Sequence, residues 1–205
     1  MKKLKVVTVL GTRPEIIRLS VIIKKFDQFF DHTLVHTGQN YDFTLNEIFF
    51  EELSIRKPDF FLNVVGQNLG ETMGNVLSKS FTLFNDVKPD ALLVLGDTNS
   101  ALCTISAKRL KIPIFHLEAG NRCYDQNVPE ELNRKIADHT ADINLTYTEN
   151  SRRYLLSEGF RKDHVFCVGT PLKEVLDLYS DKIDNSLILE KLELKQEQYI
   201  VASIH

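Results

Sequence analysis

Short continuous runs of Val, Ile and Leu alternate along this chain with segments whose apolar positions recur every three or four residues. Apolar runs of strand length mark strands buried on both faces, and the helical segments between them supply the layers that cover those faces. The runs predict strands over 5–10, 33–37, 91–95, 112–117, 143–147 and 164–168. The helical period predicts helices over 15–30, 43–53, 69–87, 100–110, 130–141 and 149–158. Lys88-Pro89-Asp90 and Lys111-Ile112-Pro113 break the pattern where helices should stop. The first strand, helix and second strand read as a right-handed βαβ unit, and the fold expected is α/β, a doubly wound parallel sheet.

After Gly169-Thr170-Pro171 the pattern changes to a charged helical stretch over 172–194, followed by Tyr199-Ile200-Val201-Ala202-Ser203-Ile204-His205, which reads as a buried strand. A last strand with nothing to extend or cap it is an aggregation hazard. The expected organisation is therefore a first domain over 1–171, with 172–205 forming linker helices and the first strand of a truncated second domain.

Composition adds limits. With 205 residues, 43% hydrophobic and 26% charged, the chain can fill one domain, and a net charge of −3 provides no bulk attraction to nucleic acid or to an anionic membrane. Any anion must be bound locally, which points to a small ligand. Cys103, Cys123 and Cys167 form no Cys-x-x-Cys pair, so free thiols and a reducing compartment are expected. Lys2 and Lys3 precede an apolar run too short for a signal peptide, and no segment is long enough to cross a bilayer, so the default location is the cytoplasm.

The candidate chemistry lies where apolar runs end. Val94-Leu95-Gly96-Asp97-Thr98 and Phe115-His116-Leu117-Glu118-Ala119-Gly120 each deliver a carboxylate to the edge of the sheet where strand ends and helix N-termini leave backbone groups open. Asp97 alone also fits a helix N-cap, whereas Glu118 must face water or a partner. Asn121, Arg122 and Asp125 add polar groups to the same loop. Glu130 and Glu131 follow Pro129 in the first turn of a helix, where acids also oppose the helix dipole.

Gly11-Thr12-Arg13-Pro14-Glu15 occupies the turn where dinucleotide folds carry their glycines, but neither G-x-G-x-x-G nor a P-loop is present. Arg13 there is either a phosphate ligand at a helix N-terminus or a surface arginine. Loops at Gln39 and Gln67 read as simple turns. His36, His116, His139, His164 and His205 fall in no zinc-type grouping with Cys, so no metal is expected; His116 reads as a hydrogen-bonded residue near the core, and His205 as a candidate site residue of the second domain.

Taken together, Gly11-Thr12-Arg13-Pro14-Glu15, Gly96-Asp97-Thr98, His116-Leu117-Glu118-Ala119-Gly120, Pro129-Glu130-Glu131-Leu132-Asn133-Arg134 and Ser203-Ile204-His205 resemble the non-hydrolysing UDP-N-acetylglucosamine 2-epimerase family, in family order across nearly the whole chain. The resemblance implies two Rossmann-like domains in the GT-B arrangement, of which this chain supplies the N-terminal one. It implies catalytic roles for Asp97, Glu118, Glu130 and His205, with Arg13 and Arg122 near the substrate. By the same resemblance, loops matching Gln39 and Gln67 border a second UDP-sugar that activates some bacterial relatives. Asn121 to Asp125 and Asp142 to Thr148 look more like the branch that forms UDP-N-acetyl-L-fucosamine for capsule or O-antigen synthesis.

The resemblance further implies a UDP-sugar substrate, no cofactor, no nucleic acid or membrane partner, a homodimer when full length, and little activity from this piece alone. Two other readings use the same features: a GT-B glycosyltransferase, which passes its sugar to an acceptor, and a nucleotide-sugar sensor, in which the acids are only caps.

Overall fold

The computed structural model describes residues 2–38 and 43–202, and of 43–47 only the backbone. Among these residues seven strands pair in the order β3-β2-β1-β4-β5-β6-β7, every pairing parallel. They are β1 (Lys5–Leu10), β2 (Asp31–His36), β3 (Phe60–Phe61), β4 (Ala91–Leu95), β5 (Ile114–Ala119), β6 (Ile143–Thr146) and β7 (Val165–Cys167). The chain steps outward from β1 to β3, returns across the sheet, and steps the other way from β4 to β7. Neighbouring β1 and β4 thus form the switch point, where connections leave in opposite directions and open a crevice at the strand ends.

Side-chain alternation builds a core on each face. Val7, Val9, Val35, Leu92, Val94 and Ile114 face one helical layer, with Val76, Leu83 and Phe84 of α3 (Leu69–Val87) and Ala107 of α4 (Cys103–Arg109). Leu10, Leu34, Leu93, Leu95 and Leu117 face the other, with Ile16, Leu19 and Ile23 of α1 (Arg13–Phe29) and Phe50 of α2 (Phe43–Glu52). Burial on both faces is why these strands read as unbroken apolar runs rather than as alternation. Helices α5 (Pro129–Thr140) and α6 (Glu149–Ser157) complete the crossovers.

Local chemistry sets the helix ends. The Asn68 side chain accepts from the Glu71 N–H to start α3, and Lys88, in the left-handed region just before Pro89, ends it. Thr148 caps α6 through the Ser151 N–H.

The expected doubly wound sheet is present. Two parts of the pattern differ from expectation. The strand β3 is only Phe60–Phe61, too short for a hydrophobic period to announce. The stretch expected as one helix over 172–194 is three short ones, α7 (Leu172–Leu178), α8 (Ser180–Asp184) and α9 (Ile188–Lys191). Of these α7 packs on α1, and the Tyr179 hydroxyl that follows it donates to the Leu53 carbonyl at 2.5 Å. Residues 199–202, expected in a buried strand, pair with no strand of the sheet, and Ile200 and Val201 are exposed; 203–205 lie outside the described residues.

Candidate active site

Two carboxylates from neighbouring strands meet at the edge formed by the strand carboxyl ends. Gly96, with φ of +71°, turns the chain sharply out of β4 and presents Asp97. Asp97 is not the cap that its surroundings allow, because the Thr98 side chain accepts from the Ser100 N–H and begins the 3-10 turn Asn99–Leu102 instead. That leaves the Asp97 carboxylate to Arg134 of α5, whose Nη2 and Nε donate to one oxygen at 2.6 and 3.1 Å. The Asn133 amide donates to the Asp97 carbonyl at 3.0 Å and fixes the turn from the same helix.

Glu118 comes from β5 by a different device. Strict alternation would place it beside Ile114 and His116, on the α5 side of the sheet. The residue instead adopts φ of +70°, and the β5–β6 register shifts between Leu117 and Ala119. A left-handed non-glycine residue costs on the order of 1 kcal/mol or more and persists where the surroundings impose it, while a bulge beside a site re-aims a side chain. Here the carboxylate forms an ion pair with Arg18 of α1. One of its oxygens lies 3.6 Å from where a Cβ on Gly96 would stand, so the two acid-bearing turns are in contact distance. Burial raises the Glu118 pKa above the ordinary carboxylate range, Arg18 opposes that rise and Asp97 adds to it.

Beneath them lies a carboxyl that motif reading passed over. Glu15, in the first turn of α1, is fully enclosed; one oxygen accepts from the Gly11 N–H at 3.0 Å and the Thr12 hydroxyl at 2.7 Å, and the other meets the Thr98 hydroxyl at 3.3 Å. It therefore ties the loop after β1 to the loop after β4. Burial pushes its pKa up to about 7, against the hydrogen bonds from Thr12, Gly11 and Thr98. A carboxyl more readily protonated in the fold than in the unfolded chain stabilises the protein less as pH climbs from about 4.5 to about 7. Glu15→Gln imitates the protonated form, so thermal denaturation at pH 8 should show a gain on the order of 2 kcal/mol, absent at pH 4. A variant less stable than wild type at pH 8 would contradict this.

Arg13 is exposed at the start of α1, beside first-turn N–H groups and ahead of Pro14, a position suited to a phosphate. Glu130 is exposed one turn before Arg134 on the same face of α5, next to the segment that holds Asp97. Glu131, by contrast, is fully buried, accepting from the Cys123 and Tyr124 N–H groups at 3.0 and 3.3 Å and pairing with Arg134 and Lys135. Burial would raise its pKa, but the Cys123 N–H and thiol and Lys135 outweigh it and bring it to about 2. Glu131 thus anchors the 121–125 loop.

The guanidinium of Arg122, expected near the substrate, is enclosed between Asp138 at 2.7 Å and Glu158, which takes two hydrogen bonds at 2.7 and 2.6 Å. Those acceptors lie 16 and 36 residues away along the chain, so no local pattern could signal them. His116 is buried and hydrogen-bonded as expected. Gln67 is exposed at the loop before α3, while Gln39 and His205 lie outside the described residues. Cys103, Cys123 and Cys167 are free thiols. Among the described residues no cluster of His, Cys, Asp and Glu could hold a metal, and no helix is long and apolar enough to cross a membrane.

Comparison with known proteins bears on what such a site does. The sequence profile of a family described as UDP-N-acetylglucosamine 2-epimerase matches residues 24–205. A UDP-N-acetylglucosamine 2-epimerase homolog of Methanococcus maripaludis is 38% identical over 98% of this chain and 57% of its own length. A structure of UDP-N-acetylglucosamine 2-epimerase from Rickettsia bellii is 53% identical with a TM-score of 0.91, over 96% of this chain and 53% of that one. The Methanocaldococcus jannaschii UDP-GlcNAc 2-epimerase, solved in complex with UDP-GlcNAc and UDP, is 35% identical with a TM-score of 0.86, over 92% of this chain and 52% of that one. The chain spans little more than half the length of these relatives.

Proposed function

Because this chain belongs to the UDP-N-acetylglucosamine 2-epimerase family, we propose that the full-length protein is an isomerase that inverts C2 of a UDP-2-acetamido sugar by eliminating UDP and returning it to C1. The observation that carries this reading is the meeting of Asp97 and Glu118 at the ends of β4 and β5, each facing an arginine from a different helix.

The C2–H bond of such a sugar is not flanked by a carbonyl, so a carboxylate cannot simply remove the proton. Breaking the anomeric C–O bond first, or at the same time, places positive charge at C1 and acidifies the neighbouring hydrogen. Loss of that proton leaves a 2-acetamidoglycal and UDP. Protonation of C2 on the opposite face, with the diphosphate oxygen re-forming its bond to C1, gives the epimer. The sequence of steps needs a base, an acid on the other face, negative charge near the oxocarbenium-like centre and cations on the departing diphosphate. In this proposal Asp97, Glu118 and Glu130 share the first three roles, and Arg13 and His205 serve the diphosphate. A carboxyl whose pKa is raised by burial, as at Glu118, holds a proton more readily than an exposed one, which suits it to the acid's role.

Residues 1–171 form the first domain of the proposed enzyme and 172–205 lead into a second, so that catalysis requires the cleft between them. The three free thiols suit a reducing compartment, and we place the reaction in the cytoplasm of the source cell, in a homodimer that supplies precursors for a capsule or O-antigen.

Turnover of a UDP-2-acetamido sugar in heavy water by the full-length protein should place deuterium at C2 of the product and leak traces of glycal and UDP with no acceptor present. Protium retained at C2 of the epimer would refute the elimination route. Release of UDP only when an acceptor is added would replace it with glycosyl transfer.

A further inference from the structure

Asp138 lies near the C-terminal end of α5, where an acid is disfavoured by the helix dipole, and its side chain is wholly buried. Its oxygens accept from three directions. Oδ1 meets His116 Nδ1 at 2.9 Å, Oδ1 and Oδ2 share the Gly120 N–H at 3.2 and 3.3 Å, and Oδ2 takes a hydrogen bond from Arg122 Nη1 at 2.7 Å. His116 passes the connection on, since its Nε2 lies 2.8 Å from the Gly96 carbonyl. One buried carboxylate therefore reaches the residue before Asp97, through His116, and the second residue after Glu118, directly. Arg122 in turn reaches Glu158 of the segment closing α6, which braces the group from outside.

We propose that Asp138 is a positioning residue, which sets the separation of the Asp97 and Glu118 carboxylates by tying both of their turns to one point beneath the sheet edge. This rests on the reading given under Proposed function.

Both ring nitrogens of His116 face oxygen acceptors, an arrangement that two ring protons satisfy. Burial alone would lower the pKa of this ring; the hydrogen bond and charge of Asp138 outweigh it, with the Gly96 carbonyl and Asp97 helping, so the pKa lies above the ordinary histidine value. The ring faces Asp138 from α5, the charges of Asp97 beyond β4 and of Glu118, turned toward α1, act on it from farther off, and Asn144, opposite it on β6, is uncharged. The second ring proton, where it is held, adds a positive charge between the two acids to the mechanical link.

Asp138→Asn satisfies both sides only with a neutral ring, its amide nitrogen donating to a bare His116 Nδ1 and its oxygen accepting from Arg122, so it removes both the carboxylate charge and the ring's second proton. In the full-length protein we expect kcat to fall about 100-fold with KM held within about threefold, since the acids are displaced while the binding groups stay. His116 should then be neutral at pH 8, and the residual kcat of the variant should rise on acidification to pH 6 as the ring regains its second proton. Nitrogen-15 NMR of the wild-type imidazoles should show both His116 nitrogens protonated at pH 8.

Should Asp138→Asn fail to fold, His116→Gln, which leaves Asp138 paired with Arg122 and Gly120, should still lower kcat at least tenfold with KM retained. A neutral His116 in the wild type, or wild-type kcat in a folded variant, or a rise in KM at constant kcat, overturns the positioning role. Absence of C2 exchange in the wild type sinks the epimerase reading itself, whatever the state of His116.

Discussion

Glu118→Gln in the full-length protein should lower kcat by about 10³-fold or more while the Kd for a UDP-sugar changes by less than about threefold, the scale expected when a group that transfers a proton or stabilises developing charge is neutralised. The amide is isosteric, can still meet Asn121, and cannot exchange a proton with C2. Stability should move the other way. The wild-type carboxyl is desolvated, lies beside Asp97 and occupies a left-handed backbone position, all of which work against the fold, with Arg18, the His116 charge and a long hydrogen bond from Asn121 in its favour. Removing its charge should leave Tm unchanged or higher, the signature of a residue kept for chemistry at the expense of stability. Asp97→Asn should cost a similar factor in kcat but lower Tm, because Arg134, with only 15% of its side chain exposed, keeps an oxygen for its two hydrogen bonds but loses the negative charge they are paired with. Single-turnover kinetics with calorimetric binding separate the two effects. Near-wild-type kcat in Asp97→Asn, Glu118→Gln and Glu130→Gln together would remove the catalytic assignment.

The contrast between these acids also indicates what the chain discloses before it folds. The limits of β1, β4 and α3 could be read directly because an apolar run bounded by a cap or by Pro leaves few alternatives. The sheet edge as the place of chemistry followed from Gly96-Asp97 and Glu118 ending such runs. What could not be read is where those side chains go. The turn of Glu118 toward α1 depends on a bulge created by pairing with β6, and the enclosure of Arg122 depends on Asp138 and Glu158. Both are products of tertiary contact, to which local pattern is blind. Some missed residues did leave a trace. Asp138 stands at the wrong end of a helix for an acid, and Arg18 falls one turn beyond Pro14 and Glu15 on the helix that opens the site, so either could have been marked as needing a partner.

Gly120→Ala should be strongly destabilising. The residue has φ of +79°, and a Cβ there would stand 2.4 Å from the Ser151 carbonyl oxygen and 3.0 Å from Leu155, both on α6. The left-handed backbone alone costs an alanine about 1 kcal/mol. The clash is worse, because a backbone oxygen inside a capped helix cannot swing aside: Thr148 holds the Ser151 N–H and hydroxyl, and Leu155 is packed with Ala119 and Val165. Relief requires α6 to move away from the end of β5, opening that small core, and the combined loss should be about 3 to 5 kcal/mol in thermal or urea denaturation. The same displacement would draw the Gly120 N–H from Asp138 and slacken the turn carrying Glu118, so in the full-length protein of the proposal whatever folded fraction persists at low temperature should bind a UDP-sugar yet turn it over slowly. Leu155→Ala, which gives the added methyl room on one side only, should recover little of the loss, since the carbonyl contact persists. A loss under about 1 kcal/mol for Gly120→Ala would mean that α6 does not press on this turn, and the rigid support argued for Glu118 would fail with it.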